Sequence, residues 1–469
     1  MGPFSYRFGI LITILVSFGG RALVLVTGVL LAKSLAPAHL GRFFSDQALV
    51  LIGAGVVNLG IGQGYRQLVS RNPELRASYL LPTICLRIGA MLLYFGGFVV
   101  YAKLVDRASA DTIVVGMATL LFFLIELFLI DLQIRRCYGK AAVLHWCKDC
   151  CLFAAAIVFL CASHSYEILV FSYCAVAFLV VIFGLFLVAP QAASLRRCDY
   201  GTLIKTSIPF AAALFAYSLT SYWGISYVRE VLGEEQAGYY CVPLKLYQMG
   251  LVVAMSVSGV ILPLYHRLAA TKDFRTYVSV FNRLIRVMWL IAGLIAGTCS
   301  LIPDVLVRIL AKEEYMAAVS VFPWIGFSVM FRLLAMPAGN ILESVDKQWY
   351  RVLIQSIGAA FCLIAVTFAV PRWGILGAAW TVFAVDLWLM VGYWLTTCRF
   401  ANAVVSMSRL LAPAVAFAAI FAIATWFMHG PGWFKLAVFY ILWLGYVGLH
   451  MNLREEIGVL LKIVGRKAS

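Results

Sequence analysis

Six basic residues interrupt long apolar runs: Arg21, Arg87, Lys148, Lys245, Arg286 and Arg332. A cation at the centre of a bilayer costs about 2.5–3.5 kcal/mol on insertion scales. It therefore faces a water-filled cavity or a partner. Six such residues, on six separate apolar segments, are what a site for an anion requires. Arginine suits a phosphate because its planar fork matches two phosphate oxygens at once. Five acids lie in the same kind of segment: Asp46, Glu126, Asp131, Asp149 and Asp386. Asp131 precedes Arg135 by one helical turn, which predicts a local pair. Asp149 follows Lys148 and answers a neighbouring cation. Glu126 falls at a depth similar to Arg87, so a structural pair competes there with a ligand site. Lys148 and Arg286 are near enough to a segment end to reach the interface along their apolar stems. Arg21 and Arg332 have no evident partner in the sequence, and neither has Asp386. Glu126 and Asp386 are the candidates for ion coupling. Tyr217 and Trp223 are the candidates for contact with sugars, whereas Tyr227, Tyr239 and Tyr240 read as an interfacial belt.

The elements that carry these residues are membrane helices. The chain has 469 residues, of which 63% are hydrophobic and 12% charged, with a mean hydropathy of +0.95. A soluble protein of this size could not cover so much apolar surface. The net charge of +16 reflects basic cytoplasmic loops facing anionic headgroups rather than a nucleic-acid partner. The apolar run after Arg7 continues past Arg21 without a small-residue cleavage site and reads as a first membrane helix.

A spanning helix needs about 20 apolar residues, and the pattern predicts about fourteen: 8–32, 43–65, 78–102, 111–134, 141–162, 166–189, 206–228, 236–263, 278–302, 315–342, 349–370, 374–396, 408–429 and 433–452. Basic residues gather on alternate loops, as at Arg66, Arg71 and Arg76, at Arg135, Arg136 and Lys140, and at Arg196, Arg197 and Lys205. This places both termini in the cytoplasm. The longest connections, 190–205 and 264–277, are too short for a soluble domain. Leu35 to Phe43 (LAPAHLGRF) and Leu232 to Tyr240 (LGEEQAGYY) share a Leu-to-Gly spacing of six at an offset of 197 residues. Such a repeat predicts duplicated halves around a midplane site. The expected fold is an all-α polytopic membrane protein: an N-terminal six-helix bundle (1–200), a pseudo-symmetric second one (201–400), a central cavity, and two further helices with a basic tail (401–469).

Twelve cysteines are scattered through apolar segments. Cys147, Cys150 and Cys151 form a C-x-x-C-C run near His145, but buried cysteine is usually a small hydrophobe, and no metal or cofactor is expected. Gly60-x-Gly62-x-Gly64 lacks the preceding strand of a nucleotide-binding turn. Close helix packing or a helix break is the better reading. No Walker A motif is present, so ATP hydrolysis by this chain is not expected.

The run LLAKSLAPAHLGRFFSDQALVLIGAGVVNLGIGQGYRQLVSR (Leu30 to Arg71) resembles the first signature of the polysaccharide transporter, or Wzx-type flippase, family. That family is a branch of the multidrug/oligosaccharidyl-lipid/polysaccharide exporter superfamily. Leu232 to Arg267 resembles the matching stretch of the second half, and Pro371-Arg372-Trp373-Gly374-Ile375-Leu376-Gly377-Ala378-Ala379 resembles a late P-x-x-G-x-x-G-A-A signature. Many relatives carry an Asp-Arg pair in the seventh helix, where Trp223-Gly224 stands here. The resemblance implies alternating access in a bacterial inner membrane. It implies movement of undecaprenyl-pyrophosphate-linked oligosaccharide repeat units, such as O-antigen, capsule or exopolysaccharide precursors, to the outer leaflet. The implied partners are the lipid-linked substrate and membrane lipids, with the polymerase or ligase machinery an open alternative. A lipid II flippase and a cation-coupled multidrug exporter of the same superfamily remain rivals. An enzyme is not expected, because no outer loop could carry a catalytic domain.

Overall fold

The computed structural model describes residues 19–20, 22–53, 57, 60–71, 76–105, 109–135, 137–162, 165–188, 200–271, 273–345, 347–400, 408–427 and 431–450. Arg21 lies outside the described residues. The chain divides into two compact units, Met1–Cys241 and Val242–Ser469.

The first unit holds α1 (Ala22–Ser34), α2 (Pro37–Ile52), α3 (Ile61–Arg71), α4 (Arg76–Leu104), α5 (Ala110–Ile134), α6 (Tyr138–Cys161), α7 (Tyr166–Val188), α8 (Tyr200–Leu232) and the start of α9 (Glu234–Ala270). At the centre is α5, which packs on α2, α3, α4, α6 and α7. Its first turn is capped by Ser109, whose hydroxyl accepts the Thr112 amide at 3.2 Å and so satisfies one of the free N–H groups of the helix end. Glycines set the closest approaches: a Cβ on Gly116 would lie 2.5 Å from Phe98, and one on Gly184 2.6 Å from Phe128.

The second unit continues α9 and adds α10 (Phe274–Leu301), α11 (Pro303–Leu310), a 3₁₀ turn at Glu313–Ser320, α12 (Phe322–Ser344), α13 (Gln348–Phe400), α14 (Ser408–Ala422) and α15 (Gly432–His450). The central helix here is α12, packed on α10 and α13. It is buried along most of its length, including Ser328, Asn340 and Ser344. The added helices α14 and α15 pack on each other and on α10. Where α15 meets α10, Gly293 and Gly297 make room for aromatic knobs. A Cβ on Gly293 would meet the Trp443 ring at 2.5 Å, and one on Gly297 would drive into Phe439.

The described residues contain no strand and eight helices long and apolar enough to cross a membrane, or nine if the bent α8 counts as one span. The protein is an all-α, multi-pass membrane protein. Several boundaries differ from the hydropathy pattern, each for a local reason. The second span was expected over 43–65. Instead α2 starts at Pro37, which suits the first helical position, and ends at Ile52 before Gly53. Another described helix begins after Gly60, whose φ of 59° favours glycine. The tenth span, expected from 315, starts at Phe322 with Pro323 in its first turn, after the amphipathic α11 and the 3₁₀ turn that the pattern did not resolve. The 264–277 connection is mostly helical: α9 runs on to Ala270 and α10 begins at Phe274. The spans expected at 349–370 and 374–396 are the two arms of α13, broken at Gly374 (φ 59°, ψ −142°). That conformation is open essentially to glycine alone.

Candidate functional site

The structure pairs two of the sequence candidates in each unit. In the second unit, Arg332 on α12 points at Asp386 on α13. Its Nη2 lies 2.7 Å from Asp386 Oδ1 and donates to Tyr247 Oη of α9 at 3.0 Å. Asp386 is fully buried, and the Arg332 side chain is 13% exposed. The absence of a partner for either residue was a property of the sequence only. They are each other's partner, 54 positions apart, and α12 and α13 are the most extensively packed helices of that unit. Lys245, one turn of helix from Gln248, approaches its Oε1 at 3.4 Å. Arg286 is exposed on the surface of its unit.

In the first unit, Arg87 on α4 is 2% exposed, and its Nη2 lies 4.0 Å from Glu126 Oε2 of α5. Glu126 itself is 46% exposed. Arg87 Nε and Nη1 have no hydrogen-bond partner among the described residues. A Cβ on Gly62 would come within 3.4 Å of Arg87 Nη1, so the small residue leaves the guanidinium space. A buried guanidinium with donors unspent favours an acceptor of opposite charge. Lys148 sits 3.7 Å from Asp149, and His145 Nδ1 lies 3.0 Å from the other Asp149 oxygen. Asp149 therefore answers its neighbours, as its position in the sequence indicated.

Trp223 stacks on Tyr227 at a centroid distance of 5.9 Å, and its buried indole N–H has no partner among the described residues. Tyr217 is half-buried. Tyr240 was expected in an interfacial belt, yet it is fully buried, with its hydroxyl near Gly224 of α8.

Two charged clusters escaped the sequence reading in part. Asp131 does pair with Arg135, at 2.9 Å. It also accepts both Nε and Nη2 of Arg76 at 2.9 and 3.0 Å, and the Tyr65 hydroxyl at 2.8 Å. The second cluster is formed by Asp46 and Arg229, whose side chains are 3% and 5% exposed. Arg229 lies in the last turn of its helix, where a basic residue is ordinarily solvated. It is instead a buried cation, and it bonds Ser45 and Glu234 as well. Sequence separation hides such pairs, since a charge at a helix end reads equally well as solvated.

Gly60, Gly62 and Gly64 serve both packing and a helix break. A Cβ on Gly60 would lie 2.7 Å from the Ala211 amide, and one on Gly64 would collide with the Ser207 hydroxyl. Among the described residues, no group of three or more His, Cys, Asp or Glu side chains is placed to hold a metal.

No family model matches the sequence, and no curated protein sequence is significantly similar. Solved structures are similar in fold. The lipid II flippase MurJ, in an inward closed conformation, aligns with a TM-score of 0.72 at 10% identity, covering 94% of this chain and 98% of that one. An inward-facing multidrug resistance MATE family transporter of the MOP superfamily aligns with a TM-score of 0.66 at 10% identity, covering 83% and 98%. A MOP superfamily transporter from Pyrococcus furiosus, described as having a binding pocket of reverse polarity, aligns with a TM-score of 0.61 at 10% identity, covering 87% and 98%. The chain has the fold of MOP superfamily transporters.

Proposed function

We propose that the protein is a flippase that moves undecaprenyl-pyrophosphate-linked oligosaccharide repeat units from the cytoplasmic to the outer leaflet by alternating access. The observation that carries this reading is the extent of the likeness to the lipid II flippase. That alignment takes in 94% of the chain, against 83% for the MATE transporter. The cations support it. Arg87 offers unspent donors, and Arg332 and Lys245 belong to the second half of the repeat. In this reading Arg21, Arg87, Lys148, Lys245, Arg286 and Arg332 form the cationic path for the pyrophosphate, Tyr217 and Trp223 contact sugar, and Glu126 and Asp386 are the ion-coupling carboxylates. No covalent chemistry is assigned to the chain. The membrane is the bacterial inner membrane, with both termini in the cytoplasm.

A multidrug exporter is the rival that the MATE likeness and the buried Asp386 favour. Ligand-induced thermal stabilisation of the purified protein separates them. A ligand that binds only the folded state raises the melting temperature by an amount that grows with the logarithm of its concentration above Kd. Undecaprenyl pyrophosphate is expected to stabilise the wild type, and Arg87→Gln is expected to lose most of that shift. Stabilisation by ethidium, with none by the pyrophosphate, would turn the assignment to cation export.

A further inference from the structure

We propose that the crossing of Gly41 with Gly238, together with the Asp46–Arg229 ion pair, is the gate that seals the substrate path at the membrane face where α1 ends and α2 begins. The inference rests on the alternating-access reading above.

The two copies of the repeated motif start their helices at corresponding positions. Pro37 opens α2 and Glu234 opens α9, and the offset of 197 also relates Gly41 to Gly238. The contact between the copies is reciprocal. A Cβ on Gly41 would run into the Glu234 carbonyl and lie 2.5 Å from the Gly238 amide. A Cβ on Gly238 would run into the Pro37 carbonyl oxygen and lie 2.7 Å from its carbon. Each glycine thus rests on the first residue of the other copy's helix, as a local two-fold requires. Neither has a positive φ, unlike Gly60, Gly233 and Gly374, so backbone conformation does not demand glycine there. Close backbone approach does.

The ion pair fastens the same crossing. Arg229 comes from the last turn of α8, and Gly233 (φ 91°) turns the chain directly into α9. Arg229 pairs with Asp46 of α2, donates to Ser45 Oγ at 3.1 Å and meets Glu234 Oε1 at 2.7 Å. Thr112 of α5 donates to the other Asp46 oxygen at 2.9 Å. Arg42 pairs with Asp111 at 3.3 Å and lies over the Tyr166 ring, which holds α2 to its own half. The pairs Arg76–Asp131, Arg87–Glu126 and Arg332–Asp386 each lie within one half of the repeat. Asp46 and Arg229 come from different halves, 183 positions apart.

A buried pair is costly to break when one partner stays dry. Here a small recess, lined in part by Asp46, Thr112, Ser226, Arg229 and Glu230, lies beside the pair. Separation would hydrate both charges. Two arrangements, one paired and dry and the other apart and wet, are what a two-state gate needs.

The test uses Ser45→Cys, because Ser45 is 2% exposed and touches Arg229. Its labelling by a membrane-impermeant maleimide is followed in sealed vesicles of each orientation, above the baseline set by the native cysteines. Labelling is expected from one face only, and slow. Asp46→Asn, Arg229→Gln and, independently, Gly41→Leu are each expected to speed it by at least about fivefold. The near-isosteric Asp46→Asn keeps the test available if Gly41→Leu does not fold. Labelling at the wild-type rate in folded Asp46→Asn and Arg229→Gln would overturn the gate, as would equal labelling from both faces in the Ser45→Cys protein. Labelling needs no substrate. A gate that opens as described in a protein that moves no lipid-linked oligosaccharide would leave this inference standing and sink the flippase reading.

Discussion

At the scale of residues, the chemistry sits in charges that the fold matches with partners. Arg332 and Asp386 share a dry site with Tyr247. Removing one member of a buried pair leaves a stranded charge and costs about 3–5 kcal/mol. Arg332→Ala and Asp386→Ala should each lower the unfolding midpoint in detergent. The double variant should lose less than the sum of the two, with a coupling of about 0.5–3 kcal/mol. Strict additivity would mean that the two side chains do not share their energetics. The sequence showed which apolar segments carried charge, and it showed the Asp131–Arg135 pair because both residues lie on one helix turn. It did not show Arg332–Asp386 or Asp46–Arg229, because tertiary packing alone brings those helices together. It did indicate that Arg286 could reach the interface, where it is exposed, but not that Tyr240 is buried, since helix rotation is set by neighbours rather than by hydropathy.

At the scale of elements, glycine decides where helices break and where they touch. Gly374 adopts a conformation other residues avoid, so Gly374→Ala should destabilise the protein by about 1–3 kcal/mol. A melting temperature equal to that of wild type would show that α13 can straighten without loss. Gly297 instead marks a contact. Gly297→Leu should push Phe439 and α15 away from α10, and the melting temperature in detergent should then fall below that of wild type. An unchanged melting temperature would show that the aromatic face of α15 does not depend on this seat. Hydropathy located most spans within a few residues, because a bilayer imposes length. It missed α11, which is eight residues long, and it placed the second and tenth spans poorly. There the boundary depends on Pro37, Gly60 and Pro323, whose effect is on backbone geometry rather than on polarity.

At the scale of the whole molecule, the repeat legible at Leu35–Gly41 and Leu232–Gly238 is the feature on which the proposed transport rests. A repeat whose two copies meet through small residues can separate as a unit, and in the proposed path the cations of both copies would offer an anionic head group successive partners. The central claim is that this path moves a lipid-linked pyrophosphate. Its most direct test is reconstitution in liposomes, with transbilayer movement of undecaprenyl-pyrophosphate-linked oligosaccharide followed for wild type, Arg87→Gln and Arg332→Gln. The account predicts movement by wild type that falls at least about tenfold in both variants, with the proteins still folded. No movement by wild type under any ion gradient, alongside efflux of an organic cation, would contradict it.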